Sequence, residues 1–291
     1  VSLAGGNVSL SSAVTLTSGN LSLTAGHKLL LNSGTYIWTN STVDVHDSTT
    51  LAEGVSLTLD GGSQSLGTLN GSTNSTIALT GGANAQAATI LFAEGSIMLD
   101  GASSLSTTTA ADSTISSLTL AGGSSLETAG DLEITTLEDE ANGSIVSDGD
   151  LTIDNDITTS DTLSLIAGGT LTLQGDSSTI NGDDSLLAGE TISVDGDLTM
   201  NGANASIEAI GEISLNNITM TGEGSSITTG GTLAISGSGN LEHTTIETGT
   251  LHLVEDGDGT TMKDVSLTAA HTIVDAGKML RLMAGNEYSL R

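Results

Sequence analysis

The sequence predicts an all-β chain wound as a single-stranded parallel β-helix, a β-solenoid with about 20 residues per coil. Three observations predict it. The first is a repeated phrase. In Ser225–Ile235 an apolar residue, Ile227, is followed by a Gly turn at Gly230 and Gly231 and then by the triplet Leu233-Ala234-Ile235. The phrase returns with its leading apolar residue at Leu126, Ile145, Leu165, Leu186, Ile207, Ile227, Ile246 and Leu267, at spacings of 19 to 21 residues. A steady period of this length, made of short strand-like triplets and Gly turns, is the mark of a solenoid. The second is alternation. A triplet such as Leu171-Thr172-Leu173 buries two side chains and exposes one, and is too short to be stable alone. Stacked on the next coil it pairs in parallel, about 4.8 Å away. The third is composition. There is no Pro and no Cys, and the aromatics are only Tyr36, Trp38, Phe92 and Tyr288. The core is therefore aliphatic, with Gly and Asn at tight corners. A propeller needs blades of about 40 residues, a sandwich needs longer strands, and the 3.6-residue period of an α-solenoid is missing. With 291 residues the expectation is about 14 coils, a rod on the order of 65–70 Å long.

Along the chain, residues 1–101 read as N-terminal coils of less regular phrasing. Val8-Ser9-Leu10, Val14-Thr15-Leu16, Leu21-Ser22-Leu23 and Leu29-Leu30-Leu31 are triplets 6 to 8 residues apart. Tyr36-Ile37-Trp38 is the aromatic strand, expected to cover the core. Residues 102–117 are almost all Ala, Ser and Thr and read as an outward loop or a seam. Residues 118–276 are regular solenoid coils. Residues 277–291 carry Lys278, Arg281 and Arg291, three of the five basic residues, and read as a C-terminal cap or boundary segment.

Charge excludes some partners. Five Lys and Arg face 35 Asp and Glu, a net charge of −30, and 31 of the acids lie beyond residue 93. Nucleic acid and anionic membrane both need a basic surface, so neither is expected as a partner. No run approaches 18 apolar residues, so no membrane-spanning helix is expected. No leader with a basic start and an apolar centre is seen, so a signal peptide is expected to be absent or removed. The chain opens directly on a triplet. An uncapped sheet end of that kind templates further pairing, so the expectation is either a fragment of a longer array or head-to-tail association into a filament.

Ala167-Gly168-Gly169-Thr170-Leu171-Thr172-Leu173, Asp195-Gly196-Asp197-Leu198-Thr199-Met200 and Gly230-Gly231-Thr232-Leu233-Ala234-Ile235 resemble the repeats of filamentous-haemagglutinin-type adhesins. They are similar also to autotransporter passenger domains. The resemblance covers residues 118–275 well and 1–100 loosely. It implies a right-handed β-helix, secreted or displayed on a bacterial surface, that acts in adhesion, aggregation or biofilm formation. It carries over no individual site residue. No barrel-forming translocator pattern is present.

Chemistry is thinly represented. A polysaccharide lyase needs clustered basic residues, and the five available are scattered at Lys28, Lys263, Lys278, Arg281 and Arg291. A hydrolase needs two carboxylates at a set separation, and Asp183-Asp184 is the only Asp-Asp pair. The five histidines, 27, 46, 243, 252 and 271, are not at metal-ligand spacing and read as isolated surface residues, with His271 in a turn. Acidic turns at Asp154-Asn155-Asp156 and Asp256-Gly257-Asp258 offer oxygen ligands, so Asp154, Asp156, Asp256 and Asp258 are the candidates for weak calcium binding. Thr15, Ser22, Thr58, Thr119, Thr152, Thr172, Thr199 and Thr219 sit at the centres of triplets and are expected to stack as outward hydroxyl ladders on a flat face. Asn-x-Ser/Thr triplets begin at Asn7, Asn20, Asn40, Asn70, Asn74, Asn142, Asn204 and Asn217, leaving glycosylation open. The expected function is that of a non-enzymatic, extracellular or cell-surface protein. It would act by self-association, by fibre or biofilm matrix formation, or by adhesion to cell-surface glycans or a host surface. The alternative is a carbohydrate-active β-helix enzyme, a lyase or a hydrolase.

Overall fold

A computed structural model describes residues 2–16, 22–254, 259–277, 279–283, 285 and 287–290. It is an all-β parallel solenoid with about 20 residues per turn and about 14 turns in total. Among the described residues there is no helix. The chain divides into two compact units, Val1–Gly149 and Asp150–Arg291. Each is built in the same way. A turn contributes one stretch of strand to each of three faces, and each stretch pairs in parallel with its equivalent one turn away.

In the first unit, face 1 stacks Leu23, Val43, Gln64, Ala85, Leu105, Leu126 and Ile145 inward. Face 2 stacks Leu29, Thr49, Leu69 and Ile90. Face 3 stacks Tyr36, Leu57, Ile77, Ile97, Leu118 and Leu137. In the second unit, face 2 is the most regular, with Leu151, Leu171, Ile192, Ile213, Leu233 and Leu251 in one column, all buried. Alternation puts the residue between two inward ones outside. Thus Thr172, between Leu171 and Leu173, is half-exposed while both neighbours are buried.

Some Gly pairs separate strands, as Gly81-Gly82, Gly122-Gly123 and Gly168-Gly169 do, while Gly230-Gly231 lies within one. Ser225–Ile235 is one 11-residue strand whose register shifts between Thr229 and Thr232, at Gly230-Gly231. Thr35–Val45 and Thr89–Leu99 likewise run around a corner and serve two faces. Tyr36 and Trp38 are fully buried, their rings edge-to-face with centroids 6.0 Å apart. The remaining buried ring, Phe92, fits because Gly71 lies one turn before it. A Cβ on Gly71 would come within 2.5 Å of the ring.

Residues 102–117 do not loop outward. They carry the strand Ser104–Thr107, in register with the strands before and after it, and the start of Ser113–Leu120. Small hydroxyl residues there take buried positions, Ser113 in register with Leu132 and Ser103 at the corner that Ala83 holds one turn before. Ser103 and Ser113 are both 1% exposed, which is why hydrophobic periodicity fails to reveal the strands. The division between compact units falls after Gly149, inside the stretch read as one run of coils. Beyond residue 277 the described residues include two further strands, Leu280–Leu282 and Glu287–Leu290, each paired in parallel with the turn before.

Candidate functional site

What such a molecule presents to solvent is its set of outward ladders, and the corners decide how those ladders are held. The corner between face 3 and face 1 follows one rule. A residue in the left-handed conformation is followed by a small buried residue and then by the first residue of the strand. In the first unit the left-handed residues are Gly82, Ala102, Gly123 and Asn142, with φ of 74°, 58°, 73° and 53°. In the second they are Asp184, Asn204, Gly224, His243 and Asp264, with φ of 52° to 78°. Gly accepts this region freely and Asn and Asp tolerate it. The buried follower is often a hydroxyl that bonds the carbonyl three residues back. Ser103 Oγ donates to the Asp100 carbonyl at 2.6 Å, and Ser185 Oγ to that of Gly182 at 2.8 Å. Ser185 Oγ also accepts the Leu163 N–H at 3.1 Å.

The left-handed conformation, at this corner for Asn40, Asn142 and Asn204 and at the corner between faces 2 and 3 for Asn74, accounts for half of the Asn-x-Ser/Thr triplets. Asn40, Asn74, Asn142 and Asn204 are all left-handed corner residues, φ 49° to 56°. Thr76, Ser144 and Ser206, two places on, begin the next strand, whereas Asn40 and Thr42 lie within the strand Thr35–Val45 where it rounds its corner.

The acids also have a local task. Carboxylates in the corners accept backbone N–H groups of the following turn. Asp150 Oδ1 accepts from Thr170 at 2.7 Å, Asp156 Oδ1 from Ser177 at 2.8 Å, and Asp183 Oδ1 from Ala203 at 2.7 Å. Side-chain ladders continue the pattern. Asn204 Nδ2 donates to Asp184 Oδ1, and Asn217 Nδ2 to Asp197 Oδ1. Each of these bonds joins positions 20 or 21 apart. A residue-by-residue reading looks for partners at short spacing and misses them.

The histidines follow the same logic. His27 Nδ1 lies 3.0 Å from Asp47 Oδ2 and His46 Nδ1 2.6 Å from Asp47 Oδ1. His252 Nε2 lies 3.1 Å from Asp275 Oδ1, and His243 Nδ1 3.9 Å from Asp264 Oδ2. They are therefore not isolated, as their sequence spacing suggested, and His271 sits in the strand Ser266–Val274 rather than in a turn. Hydrogen bonding to Asp47, followed by that group's charge, holds the His46 imidazole above the usual histidine range. The same contacts, from His46 first and then His27, hold the Asp47 carboxyl below the usual range.

Of the candidate calcium ligands, Asp154 and Asp156 line an open cleft of about 360 Å³ with Asn155, Gln174, Gly175 and Asp176. One oxygen of Asp156 is already occupied by the Ser177 N–H. Asp256 and Asp258 lie outside the described residues. Among the described residues, no three His, Cys, Asp or Glu side chains are grouped so as to hold a metal ion.

The outward Thr and Ser residues are divided between faces and units rather than gathered on one. In the first unit, face 3 carries Thr15, Ile37, Thr58, Ala78, Met98, Thr119 and Glu138 in one column. Beside it runs a column made only of hydroxyl residues, Thr35, Ser56, Thr76, Ser96, Ser117 and Thr136. In the second unit, face 2 stacks Thr152, Thr172, Ser193, Ser214, Ala234 and His252. Face 3 of that unit stacks Thr158, Thr179, Thr199, Thr219 and Asn240. Compared with known proteins, the chain matches no family model, no curated protein and no solved structure.

Proposed function

We propose that this chain is a structural or adhesive β-solenoid of the cell exterior, acting through self-association or surface attachment rather than through catalysis. The observation that carries the reading is the repetition of outward ladders. The same short polar or small side chains recur every turn, about 4.8 Å apart, on each of three faces. Such a surface presents one weak contact many times, and weak contacts in series add by multivalency. The resemblance of the repeats to haemagglutinin-type adhesins and autotransporter passengers favours the same reading. So does the net charge of −30, which keeps a long polar surface soluble.

The test is paired. Sedimentation of the purified chain over a wide concentration range measures association. A turnover assay against neutral and acidic polysaccharides measures catalysis. Concentration-dependent association without turnover is the expected result. Cleavage of any of the polysaccharides at an enzymatic rate would replace this reading with that of a carbohydrate-active enzyme.

A further inference from the structure

One corner of the first unit gathers two histidines on a single carboxylate. His27 lies where the strand Ser22–Leu31 rounds the corner from face 1 to face 2. His46 and Asp47 form the same corner one turn later, between the strands Thr35–Val45 and Ser48–Leu51. Backbone bonds hold the two turns in register there. The Asp47 N–H donates to the His27 carbonyl at 2.9 Å, and the His46 N–H to the Ala25 carbonyl at 3.1 Å. His27 Nδ1 meets one oxygen of Asp47 at 3.0 Å, and His46 Nδ1 meets the other at 2.6 Å. An ionised carboxylate only accepts hydrogen bonds, so each Nδ1 carries its proton. Both neutral rings then keep a lone pair on Nε2. The two side chains face solvent, 67% exposed for His27 and 81% for His46. His46 also lines an open cleft of about 210 Å³ with Asp44, Ser65 and Gln86. His243 and His252 differ, since each faces an aspartate alone, Asp264 and Asp275. Among the described residues, Asp47 is the one carboxylate shared by two imidazoles.

We propose that His27 and His46 together bind one divalent transition-metal ion, of the zinc, copper or nickel class, through their Nε2 atoms. A carboxylate that accepts Nδ1–H while Nε2 takes the metal is the common support of a metal-bound histidine. It fixes the tautomer and the ring orientation and makes the ligand more basic. Here one aspartate does this for two rings. His27 stacks on Asp47, next to His46 in the chain, and successive turns are about 4.8 Å apart, so both rings share one corner. Imidazole selects the ion. Calcium and magnesium take oxygen ligands, whereas zinc, copper and nickel take imidazole nitrogen. Charge favours a cation as well, because Asp44 and Asp47 flank His46 in a chain of net charge −30. Among the described residues no three His, Cys, Asp or Glu side chains are grouped to hold an ion, so the pair supplies the protein ligands and water completes the shell. The cleft beside His46 leaves room for that water. A site of two ligands is modest in affinity, and chelation requires both Nε2 atoms to reach one ion, so loss of either ring must abolish it.

The probe is Zn²⁺ alone, added to the intact, chelator-treated chain at about pH 8, where histidine is neutral. The NMR signals of the ring Hε1 protons report each of the five histidines separately. His27 and His46 are expected to shift together and to saturate with a single ion bound. His243, His252 and His271 offer one ring each and should respond only at about tenfold higher free Zn²⁺, because a second ligand on the same scaffold adds an intramolecular contact. His27→Gln and His46→Gln should each weaken binding by about tenfold, with circular dichroism confirming that the fold is kept. Asp47→Asn should weaken it by about tenfold too, while the ring nitrogen-15 shifts show both tautomers of the freed imidazole. Unchanged affinity and unchanged tautomers in that variant would overturn the positioning role of Asp47. An equal response of all five histidines over one range of Zn²⁺ would overturn the site, as would full affinity after loss of either ring. Saturable Zn²⁺ binding that leaves the His27 and His46 signals in place would put the ion among the acidic turns and overturn the site as well.

Discussion

At Asp183 a water-facing carboxylate completes the backbone of the neighbouring turn. Its Oδ1 accepts the Ala203 N–H, which belongs to a corner and has no ladder partner of its own kind. The same arrangement recurs at Asp150 and Asp156. Asp in this chain is thus a corner residue before it is a surface charge. Asp183→Ala should lower unfolding stability by about 1 kcal/mol, and Asp183→Asn, which keeps an acceptor oxygen, by clearly less. Urea denaturation of the two variants checks this. The cluster of His27, His46 and Asp47 gives a second prediction at this scale. His46 titrates above the ordinary histidine range because Asp47 bonds and attracts its cation. A raised histidine contributes stability that is present below its unfolded value and is lost as pH rises through the folded one. A lowered Asp47 contributes stability that is present above its unfolded value and is lost as pH falls through the folded one. The two shifts describe one contact, in force from about pH 4 to about pH 6.5. Both groups face solvent, so the effect on stability is small. NMR titration is the sensitive readout, and Asp47→Asn should return His46 to its usual range.

At the scale of the element, the corner rule makes a sharper prediction. Ala102 stands at φ 58° where the equivalent positions before and after it are Gly82 and Gly123. A β-carbon in the left-handed region is strained, and glycine removes the strain at some cost in chain entropy. Ala102→Gly should therefore raise stability, by about 0.5–1 kcal/mol. A loss of stability on thermal or urea unfolding would mean that the corner is not strained as described. The same scale shows what was legible in the sequence. The period near 20, the parallel stacking and the inward Leu, Ile and Val columns follow from alternation alone, because an apolar ladder announces itself. What stayed hidden was polar. Ser103, Ser113 and Ser185 hold inward positions as fully as any leucine, and hydrophobic patterning cannot register a buried hydroxyl. In Ser104–Thr107 the inward positions are Leu105 and the buried Thr107, so only one of the two is apolar and the strand was lost to it. Asp139 is the extreme case. It is 6% exposed in the column that holds Leu99 and Leu120, and its carboxylate accepts the Gly143 N–H at 2.9 Å. The pairs His27–Asp47, His243–Asp264 and His252–Asp275 were hidden for a different reason, since each partner lies one turn away in space and about 20 residues away in sequence.

At the scale of the whole molecule, charge and repetition act against each other. A net charge of −30 makes two copies repel, and the repulsion is screened by salt with a range of about 10 Å at 0.1 M. Repeated polar faces favour contact. The balance predicts association that strengthens with ionic strength, the reverse of a contact made by opposite charges. The measurement that tests the account most directly is sedimentation equilibrium of the intact chain. It would run from micromolar to millimolar concentration, at low salt and at about 0.5 M salt, where the Debye length falls to a few ångströms. The account predicts a weight-average mass that climbs reversibly above the 28.9 kDa of a single chain, and climbs further in high salt. A mass of one chain at every concentration and both salts would contradict it.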